Sequence, residues 1–416
     1  MTRFIVTCPR CKYKMDFAPT KIKVNDLHQC LKCKLNIKVI NICLPDECVE
    51  EEEVGVQPLV TNGIEIESYL IKGEKVLERT AIQPIKDVIE PGEDFTEDIA
   101  IGNEYISPIF DDINKGLFLL RNGLRKYRIF AQRKANYQIG LFGTWLKDPA
   151  GVHFHIGLGE EGIGKEDAGP LMAYIHDYLP LIIALCTNSP VFEEELTSIA
   201  SNRMVKYGDE WCKSISKPEI LKLRSDHWIE INYNAHRKDK PPTVEVRIAD
   251  ANIPEFIIAA VEVLRVLTIG YLSGKPSPND LSFENYNKSK LSASKFGVKG
   301  KIYWNEKSLE MQDYIDTFFD SFYEELEEKD LTDEILDVFR LAKLGWNNAT
   351  IIRSSIEHIK SVYSSKKFNW KKQFLMRYSG ALSSSLDGNN LIDYARLMFV
   401  DLPDLKDIKL GKEHPF

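Results

Sequence analysis

The sequence lacks any run of apolar residues long enough to span a bilayer. The longest candidate, Tyr178 to Val191, is cut by Pro180, Asn188 and Pro190. It also lacks a secretory signal. The opening MTRFIVTCPRCK has no apolar core and no small-residue cleavage site. No membrane association is therefore expected, and the expected location is the cytoplasm. An excess of positive charge is missing too. The formal net charge is −8, which argues against a surface given over entirely to nucleic acid. Internal repeats are absent, and low complexity is confined to one acidic stretch. What remains is an ordinary globular composition over 416 residues. That length suggests two to three domains and ample buried core.

Cysteine is sparse and unevenly placed. Of eight cysteines, four form Cys8-x-x-Cys11 and Cys30-x-x-Cys33. Two thiolates on one tight knuckle reach the same metal, and a second knuckle completes a tetrahedron. A disulfide pair or a chance spacing is the alternative, but the paired motif favours Zn2+. Four thiolates leave no open position, so the zinc would be structural. It would also supply folding energy to a segment too short to bury much core. Thiolate ligands suit a reducing compartment. Cys43 and Cys48 read as plain thiols, Cys186 as core, and Cys212 has no neighbours that suggest reactivity.

The chain divides by composition. Residues 1–45 form the basic ribbon unit, with Arg10, Lys12, Lys14, Lys21, Lys23, Lys32, Lys34 and Lys38. Residues 46–60 hold Asp46, Glu47 and Glu50 to Glu53 and read as a solvated linker. A second acidic stretch, Glu90 to Glu97, contains Pro91 and Gly92 and reads as a loop. Residues 61–290 mix strand-like alternation with amphipathic segments. Residues 291–416 are expected to be mostly helical. There, Leu309 to Leu326, Asp333 to Leu344 and Asn348 to Tyr363 carry apolar residues at helical spacing.

Three short alternating segments carry unusual polar residues. They are Gly63-Ile-Glu-Ile-Glu67, Val152-His-Phe-His-Ile-Gly157 and Thr243-Val-Glu-Val-Arg-Ile248. Successive strand side chains point to opposite faces. Glu65 and Glu67 thus share a face, as do His153 and His155, and Glu245 and Arg247. A plain antiparallel sheet with one solvated face explains any one segment. Together they place two His, three Glu and one Arg on polar faces, where Lys, Thr and Ser are usual. Carboxylates and imidazoles ligate a divalent cation. A guanidinium forks onto phosphate oxygens. The set therefore favours a metal and phosphate site. Asn103 to Pro108 adds Glu104 more weakly.

These segments, in order, resemble the type 2 glutamate–cysteine ligases, or carboxylate–amine ligases, of the glutamine synthetase superfamily. The resemblance is carried by GIEIE, GVHFHIG, LPLIIALCTNSPVFEEELTSIASNR and TVEVRIADANIPEFIIAAVEVLRVL. Ser294 to Val298 and Leu344 to Ala349 add to it, so it covers roughly residues 61 to 363. It implies an α+β fold: a curved antiparallel sheet with helices on its outer face, and here an added zinc ribbon and a helical C-terminal part. It also implies ATP as co-substrate, Mg2+ or Mn2+, an amino-acid carboxylate donor such as glutamate, and an amine acceptor. The implied chemistry forms an acyl phosphate and then an amide.

Carried over by position, Glu65 and Glu67 resemble ligands to two separate magnesium ions. His153 and Glu245 complete the ion near the ATP phosphates, and Glu104 joins the other. His155 faces the nucleotide phosphate or the acceptor carboxylate. Arg203 and Arg247 resemble phosphate and acyl-phosphate clamps, with Asp250 orienting Arg247. Ser201 stands between a turn hydroxyl and a contact to ATP or substrate. Ser68 replaces a common aromatic, and the ribbon is not usual in the family.

Other residues read more plainly. His176 is a packed or surface histidine, and Trp145 and Trp211 are core. His227, beside Trp228, is open to a nucleotide contact. The glycines from Gly157 to Gly164 lack the Lys-Ser/Thr of a P-loop and the context of a Rossmann turn. A protein substrate or protein partner held by the ribbon is the alternative to a small-molecule ligase. A homo-oligomer is compatible with either. A non-catalytic binding protein is disfavoured, because a dead site has no need of paired carboxylates.

Overall fold

A computed structural model describes residues 4–42, 54–82, 89–98, 100–223, 228–235, 241–327, 331–363 and 369–416. Cys43, Cys48, the acidic residues 46–53, His227 and His236 lie outside the described residues.

The N-terminal unit is two small sheets. Strands β1 (Phe4–Thr7) and β2 (Lys14–Phe17) form a hairpin, and β3 (Leu27–Gln29), β4 (Asn36–Ile42) and β5 (Val54–Pro58) form an antiparallel sheet. The cysteines sit on the tight turns after β1 and β3. Lys12 and Lys34 adopt positive φ there, at 56° and 63°. Strand β5 corrects the linker expectation, because the second half of residues 46–60 pairs with the ribbon through Ile37 opposite Pro58 and Lys38 opposite Gln57.

Two residues later the chain enters β6 (Thr61–Glu67), the middle of the main sheet. Strands β7 (Tyr69–Lys72) and β8 (Lys75–Leu77) belong to a side sheet. Strands β9 (Asp94–Thr96) and β10 (Glu104–Ile106) return to the main one. The acidic stretch 90–97 is therefore partly an edge strand, not all loop. Helix α1 (Ile113–Ala135) follows, capped by Asp112, whose side chain accepts from the Lys115 amide, and closed by left-handed Asn136.

After β11 (Gln138–Gly140) comes β12 (Gly151–Gly157). Helices α2 (Lys165–His176) and α3 (Leu179–Cys186) are followed by the hairpin β13 (Val191–Phe192) and β14 (Glu195–Leu196). Then come α4 (Asn202–Trp211), a short α5 (Lys217–Ile220), β15 (Ile231–Asn234) and β16 (Thr243–Asp250). Six strands are hydrogen-bonded in the order β15–β16–β12–β6–β10–β9, each pair antiparallel.

One face of this sheet is Ile64, Ile66, Val152, Phe154, Ile156, Val244, Val246 and Ala249, all buried. Helices α2, α3 and α6 (Pro254–Leu272) pack against its strands. Helix α6 opens with Pro254 at its first turn and is apolar almost all round. That pattern suits an element enclosed by others, and α1, α2, α3 and the tail helix Asp333–Lys343 all touch it.

Helix α7 (Phe283–Phe296) spans residue 290, so the boundary expected there falls inside one helix. The tail is helical as expected: Met311–Ser321, Tyr323–Glu327, Asp333–Lys343, Asn348–Val362, Trp370–Leu386 and Leu391–Leu397. No single described helix is long and apolar enough to cross a membrane.

Candidate active site

The polar face of the main sheet collects the residues singled out by alternation. Register brings His153 opposite Glu65, His155 opposite Glu245, and Glu104 opposite Glu67. Directly paired residues share a face and stand close. His153 Nδ1 lies 3.5 Å from a Glu65 oxygen and 3.7 Å from a Glu245 oxygen, and its Nε2 lies 3.6 Å from Glu67. His155 Nε2 is 3.5 Å from Glu65. Arg247 Nη1 donates to Glu245 at 2.5 Å and lies 3.4 Å from His153 Nδ1.

Two overlapping groups of donor atoms result. Glu65, Glu104 and His153 bring ligand atoms within 4.8 Å of one another, and so do Glu65, His155 and Glu245. Glu65 belongs to both. Glu67 stands beside the first group against His153, with its second oxygen accepting from the Gly151 amide at 2.6 Å. Carboxylates and imidazoles at this spacing fit a hard divalent cation. Glu245 and His153 are each 6% exposed, so the donors stand in a setting that strengthens their attraction for a cation.

The electrostatics divide the carboxylates. Burial alone would raise Glu65, but His153 and His155 hold it well below the usual range. Burial is likewise outweighed at Glu245 by His155, His153 and Arg247. At Glu67 burial prevails and Asp98 adds repulsion, so its carboxyl sits above its ordinary value despite His153 and Arg203. Among the described residues, the buried Arg247 Nε has no hydrogen-bond partner.

Other expected residues take different places. Arg203 is 7% exposed and lies against Gly151, where an added Cβ would stand 2.5 Å from its guanidinium. Its Nη2 donates to the Arg247 carbonyl at 2.9 Å. Ser201 is fully buried as the N-cap of α4, bonded to the Met204 amide and to Asp250. Asp250 does not orient Arg247. Its oxygens accept from the Asn188 amide and from Ser189 and Ser201 at 2.7–2.8 Å, and it rigidifies the turns beside the sheet.

Trp145 is core and stacks on Phe374, whereas Trp211 is only partly buried and meets Trp228 edge-on. His176 is buried between Asp177 and Glu230 and stacks on Tyr286.

Sequence reasoning missed Asn232, Asn234, Thr243 and Asp98. The amides of Asn232 and Asn234 lie 3.4 and 3.3 Å from the outer Glu245 oxygen, and Thr243 is 3.1 Å from His155 Nδ1. Their signal was present, since Asn232 and Asn234 alternate with Ile231 and Tyr233. The glycine loop after β12 is clamped between units. Ile163 bonds to Pro242 and to Tyr233, and the ribbon's Asn36 approaches Gly159. Gly162 has φ 73°, and a Cβ there would meet the Pro242 carbonyl at 2.3 Å, so only glycine fits.

The ribbon thiols stand within 4.8 Å of one another, with Sγ–Sγ distances of 3.6 Å for Cys8–Cys33 and 3.5 Å for Cys11–Cys30. A zinc tetrahedron with 2.3 Å bonds has edges of about 3.8 Å, so the cage fits that ion. Burial opposes ionisation of Cys30, but the Cys33 and Lys32 amides outweigh it and lower its thiol.

No protein-family model and no curated protein matches the sequence. Solved structures do match. The complex between the prokaryotic ubiquitin-like protein Pup and its ligase PafA aligns with a TM-score of 0.50 at 13% identity, over 83% of this chain and 79% of that one. In fold, the chain is similar to a ligase. A bifunctional glutathione synthetase from Pasteurella multocida aligns at 0.50 and 11% identity, over 82% of this chain and 55% of that one. This chain thus spans about half of that protein. A glutamate–cysteine ligase from Francisella tularensis in complex with AMP aligns at 0.49 and 12%, over 82% and 92%. At these identities the likeness is one of fold.

Proposed function

We propose that the protein is an ATP-dependent carboxylate–amine ligase. The observation that carries this reading is the joining of Glu65, Glu104, Glu245, His153, His155 and Arg247 on one sheet face. A fold shared with ligases supports it. Glu65, His155 and Glu245 would hold one divalent ion, and Glu65, Glu104 and His153 a second, with Glu67 alongside. Magnesium or manganese held there would neutralise phosphate charge.

The chain's own residues do the rest. Arg247, with its unpartnered Nε, binds the phosphoryl oxygens as charge shifts between donor and acceptor. Asn232 and Asn234 orient Glu245, and Thr243 orients His155. Arg203 adds positive charge behind Glu67. In the reaction, a substrate carboxylate oxygen takes the γ-phosphoryl group and ADP leaves. An amine then adds to the acyl carbon, the bond to phosphate breaks, and the amine proton is lost to water.

Glutamate is the first donor to try, with cysteine as acceptor. A second reading keeps the chemistry and makes the acceptor or donor a polypeptide. It is favoured by the basic ribbon, whose Asn36 abuts the loop leaving β12, and by the Pup ligase among proteins of this fold.

The test is ADP release by purified protein with magnesium and ATP. Glutamate is supplied with and without cysteine, then a panel of amino acids and amines, with Glu245→Ala as control. Turnover that requires a carboxylate and an amine supports the ligase. Turnover unchanged in Glu245→Ala removes the site assignment. ATP binding with no small-molecule turnover favours the polypeptide substrate.

A further inference from the structure

Strand β16 carries a bulge beside the site. Val152 pairs with Ala249 and Phe154 with Val246, so His153 faces both Arg247 and Ile248. A bulge inserts one residue and reverses the alternation beyond it. Asp250 therefore pairs with Gly151 on the same face as Glu245 and Arg247, although its spacing from them is odd. The Arg247 carbonyl lies at this bulge.

That carbonyl is not left bare. It accepts from Arg203 Nη2 at 2.9 Å and from the Cys212 thiol at 3.2 Å. These residues come from opposite ends of α4, and both are buried. The Arg247 amide donates to the Glu230 carbonyl at 3.0 Å. A single buried ammonium ties these two sides together. Lys290 Nζ on α7 reaches the Cys212 carbonyl at 2.7 Å, Ser214 Oγ at 2.9 Å and the Glu230 carboxylate at 2.6 Å.

The geometry points to Arg203 and Cys212, backed by Lys290, as positioning residues that hold the Arg247 peptide at the bulge and so aim its guanidinium across the site. This assignment rests on the ligase reading for what Arg247 touches. It gives Arg203 work through the backbone of Arg247, where the family resemblance implies direct contact with phosphate. A bare carbonyl in this buried place would be costly. A backbone at a bulge is also freer to tilt than one in a regular ladder, so the cap decides where the side chain points.

The experiment is a double-mutant cycle. Cys212→Ala and Cys212→Ser are made in the wild-type chain and in Arg247→Ala. Two readouts are taken: the rate of ADP release with magnesium and ATP, and the affinity for magnesium with a non-hydrolysable ATP analogue. Cys212→Ala is expected to weaken one or both by about threefold to tenfold in the wild type, the range of one lost hydrogen bond. It should have no further effect once Arg247 is alanine, and Cys212→Ser should restore the wild-type value, because its hydroxyl donates from the same place. A residue that merely supports the fold would act equally in both backgrounds.

Equal loss in both backgrounds, or no loss in the wild type, overturns the assignment. Should the wild type release no ADP with either small-molecule or polypeptide substrates, the ligase reading fails. The cycle is then decided on binding alone: coupling there keeps the positioning role, and its absence removes it.

Discussion

Replacing Lys290 by methionine strands a carboxylate in the core. Glu230 is fully buried, and the Lys290 ammonium stands 2.6 Å from it. The gross attraction at that distance is about 6 kcal/mol for an effective dielectric constant of 20. Desolvation of both groups offsets most of it, so the pair itself contributes little net stability. Removing one partner is different, because the remaining charge keeps its desolvation cost. The expected loss is about 3–5 kcal/mol. The Cys212 carbonyl and the Ser214 hydroxyl also lose their donor.

Urea and thermal unfolding measure the effect. Lys288→Met, two residues away on the same helix but solvent-exposed, is the control and should leave stability nearly unchanged. Adding Glu230→Gln to Lys290→Met removes the stranded charge and should recover much of the loss, since the amide still accepts from the Ile215 backbone. Two results would refute the reasoning. One is a Lys290→Met protein as stable as the control. The other is a double variant no better than the single one.

Three further outcomes are expected. Glu245→Ala should abolish ADP release while the far-ultraviolet circular dichroism stays that of the wild type, because the change removes a ligating carboxylate on the polar face and no packing on the apolar one. Cys30→Ser should abolish zinc binding by the four-thiol cage, read by metal analysis of wild type and variant. Hydrogen exchange should then quicken in β5 and also in β6, which starts two residues further on and carries Glu65; confinement of the change to β1–β3 would contradict the observed pairing of β4 with β5. The ribbon is also held by Lys38, 2.9 Å from Asp111. Burial would raise the Asp111 carboxyl, but Lys38 lowers it below its ordinary value. Stability from this pair is therefore present above the ordinary carboxylate value of about 3.9 and lost as pH falls below it. Thermal melts of wild type and Lys38→Met should differ by a constant amount from neutral pH downwards and converge only in acid. A gap that widens in acid would have the wrong sign.

Much of the site was legible because strand alternation is a local property. Glu65 and Glu67, His153 and His155, and Glu245 and Arg247 each declare a shared face within five residues of sequence. The tail helices declare themselves in the same way, and Asp333–Lys343 and Asn348–Val362 lie within a residue of the expected spans. The interruption near Phe322 was not visible, since Leu309 to Leu326 keeps its apolar spacing through the break. Val54–Pro58 was read as linker because its neighbours are acidic. Its pairing with β4 depends on a strand whose edge is exposed only after the ribbon folds.

The residue types and faces of this protein were thus determined by its sequence: a four-thiol cage, a polar sheet face of Glu, His and Arg, and an apolar face to receive helices. Tertiary structure alone decided which faces meet. Register set Glu65 between two imidazoles and so made it common to both donor groups. The bulge brought Asp250 round to the face of Arg247, then gave it to Ser189 and Ser201. Arg203 was drawn to the Arg247 carbonyl at that bulge. These are pairings between residues far apart in the chain. They follow from hydrogen-bond satisfaction and burial across the whole sheet, which no local pattern encodes.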